Sequence, residues 1–309
     1  MIKENIIVGK GTEYPLKGIL TLPDDTSTPV AAVVLVHGSG SSNMDEKVGK
    51  LTPFRDISEG LAELGIASIR YDKRSFAHGF RLIRDKSQPV TVKTETIEDA
   101  ILATEILKKD KRIDAEKVFI IGHSMGGMLA PRIDSEGGDY RGLIIMAGTP
   151  RRLEEVMTDQ LEESLSAMSP LVRKLSEKSV KKLTSKFDGL YNLTDEEAVK
   201  VKIGGGTTLY YFKEMGEPPV SYYLEKTDKP MLIMQGEKDF QAKADKDFAL
   251  YKELLKDRDN VTFILYENLN HAFVDAIYDS VSMAKKEYST ERHIGQTVIK
   301  DIAEFINNN

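Results

Sequence analysis

The stretch Val118-Phe119-Ile120-Ile121-Gly122-His123-Ser124-Met125-Gly126-Gly127 decides how this chain reads. Its first four residues are β-branched or aromatic, the composition of a buried strand. From Met125 to Ile133 the pattern suits a helix. Between the two, Gly122 to Gly126 matches G-x-S-x-G. At average residue usage such a pentapeptide arises by chance about 0.1 times in a chain of this length. The strand-turn-helix context therefore carries more weight than the pattern. A turn that tight has no room for side chains at its flanks, so glycine is needed at Gly122 and Gly126. It would lift Ser124 above the sheet and aim the amide-rich helix N-terminus at the site. Ser124 is the candidate nucleophile. Pro131 is expected to kink or shorten the helix.

Outward from this turn, apolar runs alternate with helical patterns. Ile19 to Leu22, Ala31 to Val36, Ile66 to Tyr71, Val118 to Ile121, Leu143 to Ala147, Met231 to Gln235 and Val261 to Tyr266 read as strands. The later runs are nearly continuous in Val, Ile, Leu and Met, as in parallel strands buried on both faces. Helices are expected over Phe54 to Leu64, Ile97 to Lys108 and Phe248 to Leu255, with Thr96 and Asp99 spaced as a capping box. Ile294, Val298, Ile302 and Phe305 form one stripe of a C-terminal helix. This alternation predicts an α/β fold, a mostly parallel sheet flanked by helices.

One stretch breaks the rhythm. From Arg151 to about Lys226 there is no convincing buried strand. Leu153, Val156, Met157 and Leu161 mark one helix, Leu171 and Leu175 a second, and Thr194 with Glu197 starts a third. The chain thus divides into a core, 1–150 and 227–309, and a helical insertion, 151–226. The insertion either packs passively on the core or caps an active site. In the second reading Gly204-Gly205-Gly206 is a hinge and the aromatics Tyr210, Tyr211, Phe212, Tyr222 and Tyr223 form a pocket wall, with Tyr210, Phe212 and Tyr222 as the candidate substrate contacts.

The composition excludes several classes. The chain has 309 residues, 40% hydrophobic and 30% charged, with a formal net charge of −6. That balance is globular and gives no reason to expect nucleic acid as a partner. There is no cysteine, so disulfides, thiolate metal sites and cysteine nucleophiles are ruled out. The basic run Arg70, Lys73, Arg74, Arg81, Arg84 and Lys86 is expected to be a solvated loop, since no aromatic platform interleaves it. Met1 to Asn5 lacks the features of a signal peptide. The longest strongly apolar run, Val30 to Val36, falls short of the roughly 20 residues that span a bilayer. A cytoplasmic location without membrane contact is expected. Oligomeric state is left open between monomer and homodimer.

A serine hydroxyl needs a base, and the base needs an orienting acid. There are only five histidines. His123 sits inside the turn, facing away from the nucleophile, and is expected to pack. His37 follows a strand end and is expected to hold its loop. His78 lies in the basic run and His293 beside the C-terminal stripe. His271, just after the last strand, is the candidate base. Asp239, just after the Met231 to Gln235 strand, is the candidate acid, with Glu237 and then Glu267 as rivals. The ends of parallel strands are where function collects. An oxyanion needs amide donors. The N–H of Met125 is one candidate. The glycine-rich loop His37-Gly38-Ser39-Gly40 offers the other, at Ser39 or else Gly40.

Together, His37-Gly38, the turn at Ser124, Gly236-x-x-Asp239 and Asn270-His271 resemble the α/β-hydrolase superfamily. Asp72-Lys73-Arg74 and Gly126-Gly127 with Ala130-Pro131-Arg132 look most like bacterial carboxylesterases of the cinnamoyl/feruloyl and acetyl esterase type. The resemblance implies the chain order serine, acid, histidine, and so a Ser124, Asp239, His271 triad without cofactor or metal. It implies short-chain or aryl carboxylic esters as small-molecule substrates. Dienelactone hydrolases use cysteine, and haloalkane dehalogenases and epoxide hydrolases use aspartate where Ser124 stands. A peptidase or aminopeptidase of the prolyl oligopeptidase type is the alternative, although too few residues precede the hydrolase strands for a propeller. A non-catalytic binding protein on the same fold is the third reading.

Overall fold

The computed structural model describes residues 1–85 and 88–309. Its strands are β1 (Ile2–Val8), β2 (Leu16–Leu22), β3 (Val30–Val36), β4 (Ala67–Tyr71), β5 (Ile113–His123), β6 (Leu143–Met146), β7 (Lys202–Gly204), β8 (Thr207–Thr208), β9 (Met231–Gly236) and β10 (Val261–Tyr266). The helices are α1 (Pro53–Glu63), α2 (Arg74–Arg84), α3 (Glu98–Lys109), α4 (Met125–Ile133), α5 (Leu153–Ser166) and α6 (Pro170–Thr184). They continue with α7 (Asp195–Lys200), α8 (Leu209–Gly216), α9 (Val220–Lys226), α10 (Ala249–Leu254), α11 (Ala284–Glu287) and α12 (Gln296–Asn308).

Eight strands form one sheet in the order β1-β2-β4-β3-β5-β6-β9-β10. From β4 to β10 all neighbours are parallel; β2 pairs antiparallel with both β1 and β4. Period-two alternation sends successive side chains to opposite faces. Val34, Ile120, Ile145 and Ile233 pack on one side with Ala103 and Leu107 of α3 and Leu129 of α4. Leu35, Ile121, Ile144 and Leu232 pack on the other with α1 and α12. Both faces are covered, which is why the strands read as unbroken apolar runs. The stripe Ile294, Val298, Ile302 and Phe305 is buried as expected.

The chain leaves β3 toward β4 on one side and later places β5 on the other. A crevice opens where the winding reverses, at the C-terminal ends of β3 and β5. His37 and Ser124 stand there, directly after those strands.

Several expectations need correction. β1 is absent from the apolar runs because it is an edge strand, with Lys3, Glu4 and Asn5 exposed or half-buried and pairing only to β2. Thr96 and Asp99 form no capping box. A π-helical turn, Lys93–Ile97, runs straight into α3, so no N-cap exists there, and Asp99 binds Arg74 instead. The basic run is not a solvated loop. Arg70 ends in β4 and Arg74 to Arg84 form α2. Arg70, Lys73 and Arg74 are buried against Asp45, Glu95 and Asp99. Lys86 lies outside the described residues.

The segment between β6 and β9 holds α5 to α9. Thr194 does cap α7: the Glu197 N–H donates to its hydroxyl at 3.3 Å, and its own N–H donates to the Glu197 carboxylate at 2.8 Å. Gly204, at the end of β7, and Gly205 and Gly206, the turn of the short β7–β8 hairpin, take φ 149°, 57° and 87°. Only glycine takes three such values in succession without strain.

Ile302→Ala, in the fully buried stripe, should lower unfolding free energy by about 2–5 kcal/mol. Leu175→Ala on α6, where the side chain is 73% exposed, should stay within about 0.5 kcal/mol of the parent. Urea denaturation of the two variants checks both.

Candidate active site

β5 runs directly into Ser124, and α4 begins at Met125. Ser124 adopts φ 54° and ψ −119°, outside the ordinary regions for an L-residue. The turn is held by two main-chain bonds: Ser124 N–H donates to Met146 O at 2.8 Å, and Ser124 O accepts from Met128 N–H at 3.1 Å. A Cβ on Gly122 would lie 2.2 Å from Gly126 O, and one on Gly126 would lie 2.1 Å from Val36 O. Both flanking glycines are thus required by backbone-to-backbone contact. Pro131 sits within α4, which ends two residues later at Ile133.

Asp239 and His271 approach from loops after β9 and β10. Asp239 Oδ2 lies 2.7 Å from His271 Nδ1. The same oxygen accepts from Gln235 Nε2 at 2.9 Å, and Oδ1 accepts from the N–H groups of Gln241 and Ala242 at 2.7 and 3.0 Å. Its two oxygens are fully engaged as acceptors, so the ring proton belongs on Nδ1 and the lone pair on Nε2. The rivals Glu237 and Glu267 are exposed. Ser124 and His271 line the same cavity, and the Ser124 hydroxyl has no hydrogen bond to a described residue.

Asn270 and Gly236, quoted above only as parts of the Asn270-His271 and Gly236-x-x-Asp239 motifs, hold these groups. Asn270 is fully buried; its side chain donates to Glu287 at 2.6 Å and accepts from the Ala272 N–H at 2.9 Å, fixing the loop that carries His271. A Cβ on Gly236 would meet Leu269 O at 2.3 Å, so the acid and histidine loops touch.

His123 does more than pack. Its Nε2 donates to His271 O at 2.8 Å, its ring lies 4.8 Å from the His271 ring, and its Nδ1 lies 2.9 Å from Glu46 Oε2. Burial alone would lower the His123 pKa, but the Glu46 carboxylate and the His271 carbonyl outweigh it and the net direction is upward. His37 holds its loop through Nε2 to Asn43 O at 3.0 Å, and burial pushes its pKa down to about 4. His78 and His293 lie on the outside, against Pro15 O and Asp56.

The loop after β3 passes close to Ser124: a Cβ on Gly38 would be 3.1 Å from Ser124 Cβ. Ser39 and Gly40 line the cavity beside Ser124. The N–H of Met125, at the first position of α4, has no intrahelical acceptor.

The cavity measures about 520 Å³. Its far wall is apolar, built from Leu82, Val90, Met128, Leu153, Val156 and Phe212. Tyr211 joins Phe212 in this wall, whereas Tyr210 and Tyr222 do not. Tyr222 is 40% exposed and packs with Tyr223 and Lys226. A second space of about 200 Å³ also borders Ser124 and His271, near Pro53, Ala272 and Tyr288. Among the described residues no group of three or more His, Asp or Glu could hold a metal ion.

The family described as serine aminopeptidase, S33, matches residues 27–275. Esterase EstD of Thermotoga maritima is 35% identical over 295 residues, which cover 94% of this chain and 65% of that protein. The chain thus spans just under two thirds of that curated relative. Among solved structures, the Pyrococcus furiosus esterase Pf2001 superposes with a TM-score of 0.59 at 14% identity, covering 99% of this chain and 91% of the other. Est1E from Butyrivibrio proteoclasticus gives 0.58 at 13% identity, with 98% of each chain covered. At such identities the likeness is one of fold.

The depressed His37 pKa has a consequence for stability. Between about pH 4 and 6.5 the unfolded chain binds a proton at this residue that the folded chain does not. Stability from this group is complete above pH 6.5 and is lost as pH falls toward 4. His37→Gln should flatten that part of the pH–stability curve, by up to about 3 kcal/mol across the window. Urea unfolding from pH 4 to 7 measures it; parallel curves for variant and parent would contradict the assignment.

Proposed function

The chain belongs to the serine aminopeptidase S33 family and has the α/β-hydrolase fold; from that premise we propose that it hydrolyses carboxylic esters through an acyl-enzyme on Ser124. The observation that carries this reading is the junction of three strand ends: Ser124 on its strained turn shares a cavity with His271, whose far ring nitrogen lies 2.7 Å from Asp239. His271 Nε2 removes the hydroxyl proton as Ser124 Oγ attacks the ester carbonyl carbon. The N–H groups of Met125 and Ser39 receive the oxyanion, with Gly40 as the alternative to Ser39. Collapse expels the alcohol, which takes the proton from His271. Water, activated by the same ring, then releases the acid. Asp239 fixes the tautomer and orientation of the imidazole throughout.

The cavity supports an aryl acyl group over acetyl. Its 520 Å³ falls within the roughly 300–1,000 Å³ of sites that enclose whole small molecules, and its far wall is apolar. The smaller space beside Ser124 suits the alcohol portion. The insertion between β6 and β9 supplies Leu153, Val156, Tyr211 and Phe212 to the wall, and acts as a cap.

An aminopeptidase would need a free carboxylate for the substrate ammonium. Glu95 lines the cavity, but Tyr211 already donates to it at 2.8 Å and Lys73 stands 3.8 Å away. This favours ester over aminoacyl substrates, in line with the name of the Thermotoga relative.

Ser124→Ala should lower kcat on p-nitrophenyl butyrate by about 10⁴-fold or more while the far-ultraviolet circular dichroism is unchanged. A series from p-nitrophenyl acetate to palmitate, with methyl ferulate, should peak at short-chain or aryl esters. Faster turnover of aminoacyl arylamides than of any ester would overturn the ester reading.

A further inference from the structure

Asp72-Lys73-Arg74 has no part in the reaction sequence above, yet it lies under the oxyanion loop. Arg74 anchors to α3 through Asp99, with Nε to Oδ2 at 3.0 Å and Nη2 to Oδ1 at 2.5 Å. Asp72 accepts the Met44 N–H at 2.9 Å. Between them the Lys73 N–H donates to Ser42 O at 3.0 Å, so the motif pins the far limb of the loop that begins at His37. The Lys73 side chain turns to the near limb. Its Nζ donates to Gly38 O at 2.8 Å and is buried.

Gly38 is therefore gripped at both polar atoms by charged groups, since its N–H donates to Glu46 Oε1 at 2.7 Å. Without a side chain, glycine has the widest choice of backbone angles. Two charge-assisted bonds remove that choice. The peptide plane does the rest. In a trans peptide the carbonyl of one residue and the N–H of the next point in opposite directions. Holding Gly38 O toward Lys73 thus aims the Ser39 N–H away from it. A cation on the carbonyl also draws electrons through the amide and strengthens that N–H as a donor.

A buried ammonium is costly, and apolar residues in its place commonly stabilise a fold as well or better. Here Glu95 stands 3.8 Å from Nζ, and Tyr211 of α8 donates to the same Glu95 oxygen at 2.8 Å. The chain Tyr211, Glu95, Lys73, Gly38 links the insertion to the peptide before Ser39.

We propose that Lys73 is a positioning residue for acyl transfer, aiming and polarising the Ser39 N–H through the Gly38 carbonyl while Glu95 and Tyr211 hold it from the insertion side. This rests on the assignment of Ser124 and Ser39 above. The test uses the full chain and the variants Lys73→Met and Lys73→Arg. Lys73→Met should lower kcat on p-nitrophenyl butyrate about 10–100-fold, with KM within about threefold. Its affinity for phenylboronic acid, which forms a tetrahedral adduct on serine, should fall by a similar factor. Lys73→Arg, which keeps a cation, should recover much of both losses. Retention of kcat within about twofold in Lys73→Met overturns the proposal, as does a loss confined to KM with boronate affinity unchanged. If Lys73→Met does not fold, the neutral Lys73→Gln answers the same question with the same loss expected, and full kcat overturns it. A parent protein without esterase activity would instead defeat the underlying reading, so the two failures are distinguishable.

Discussion

Gly126 touches the end of β3 with no space for a methyl group between them, and Gly122 touches Gly126 in the same way. These contacts force the chain to reverse abruptly between β5 and α4, leaving Ser124 at positive φ and its side chain over the crevice. The same closeness puts Gly38 against Ser124, so the loop after β3 and the turn at Ser124 are positioned by one packing event. The loops after β9 and β10 obey the same rule, since Gly236 meets Leu269 O without room for a side chain. Backbone proximity at four parallel strand ends precedes every hydrogen bond in the site.

Charge then fixes what packing brings together. Glu46 grips Gly38 and His123, and His123 grips the His271 carbonyl. Asn270 is tied to Glu287, and Glu287 to Arg292. A removed partner in such a set leaves a buried polar group unsatisfied, which is expensive at low dielectric. The network around His271 and the loop from His37 to Gly40 are therefore held in place for the same reason. In the proposed reaction, donors preorganised in this way would be a main source of rate.

Much of this was legible in the sequence where local sterics decide. The turn at Ser124 announces itself because only glycine fits its flanks. The inner strands do so because burial on both faces demands unbroken apolar runs. Asp239 and His271 stand just beyond such runs, where position alone leaves Glu237 and Glu267 beside Asp239; the 2.7 Å pairing of Asp239 with His271 appears only in the fold. The sequence is mute where partners are far apart in the chain. Arg70, Lys73 and Arg74 look like a solvated run until Asp45, Glu95 and Asp99 fold onto them. β1 carries its charges because it is an edge. In the aromatic cluster the choice between Tyr210 and Tyr211 depends on the rotational phase of α8, which spacing alone does not set.

If the strained turn presents Ser124, and no other hydroxyl, to His271 as an active nucleophile, a serine-directed reagent modifies that residue alone. Intact mass spectrometry after exposure to a fluorophosphonate, followed by peptide mapping, tests it most directly. One adduct per chain is expected, on the peptide bearing Ser124. An unlabelled chain, or an adduct on Ser39, Ser41 or another residue, would contradict it.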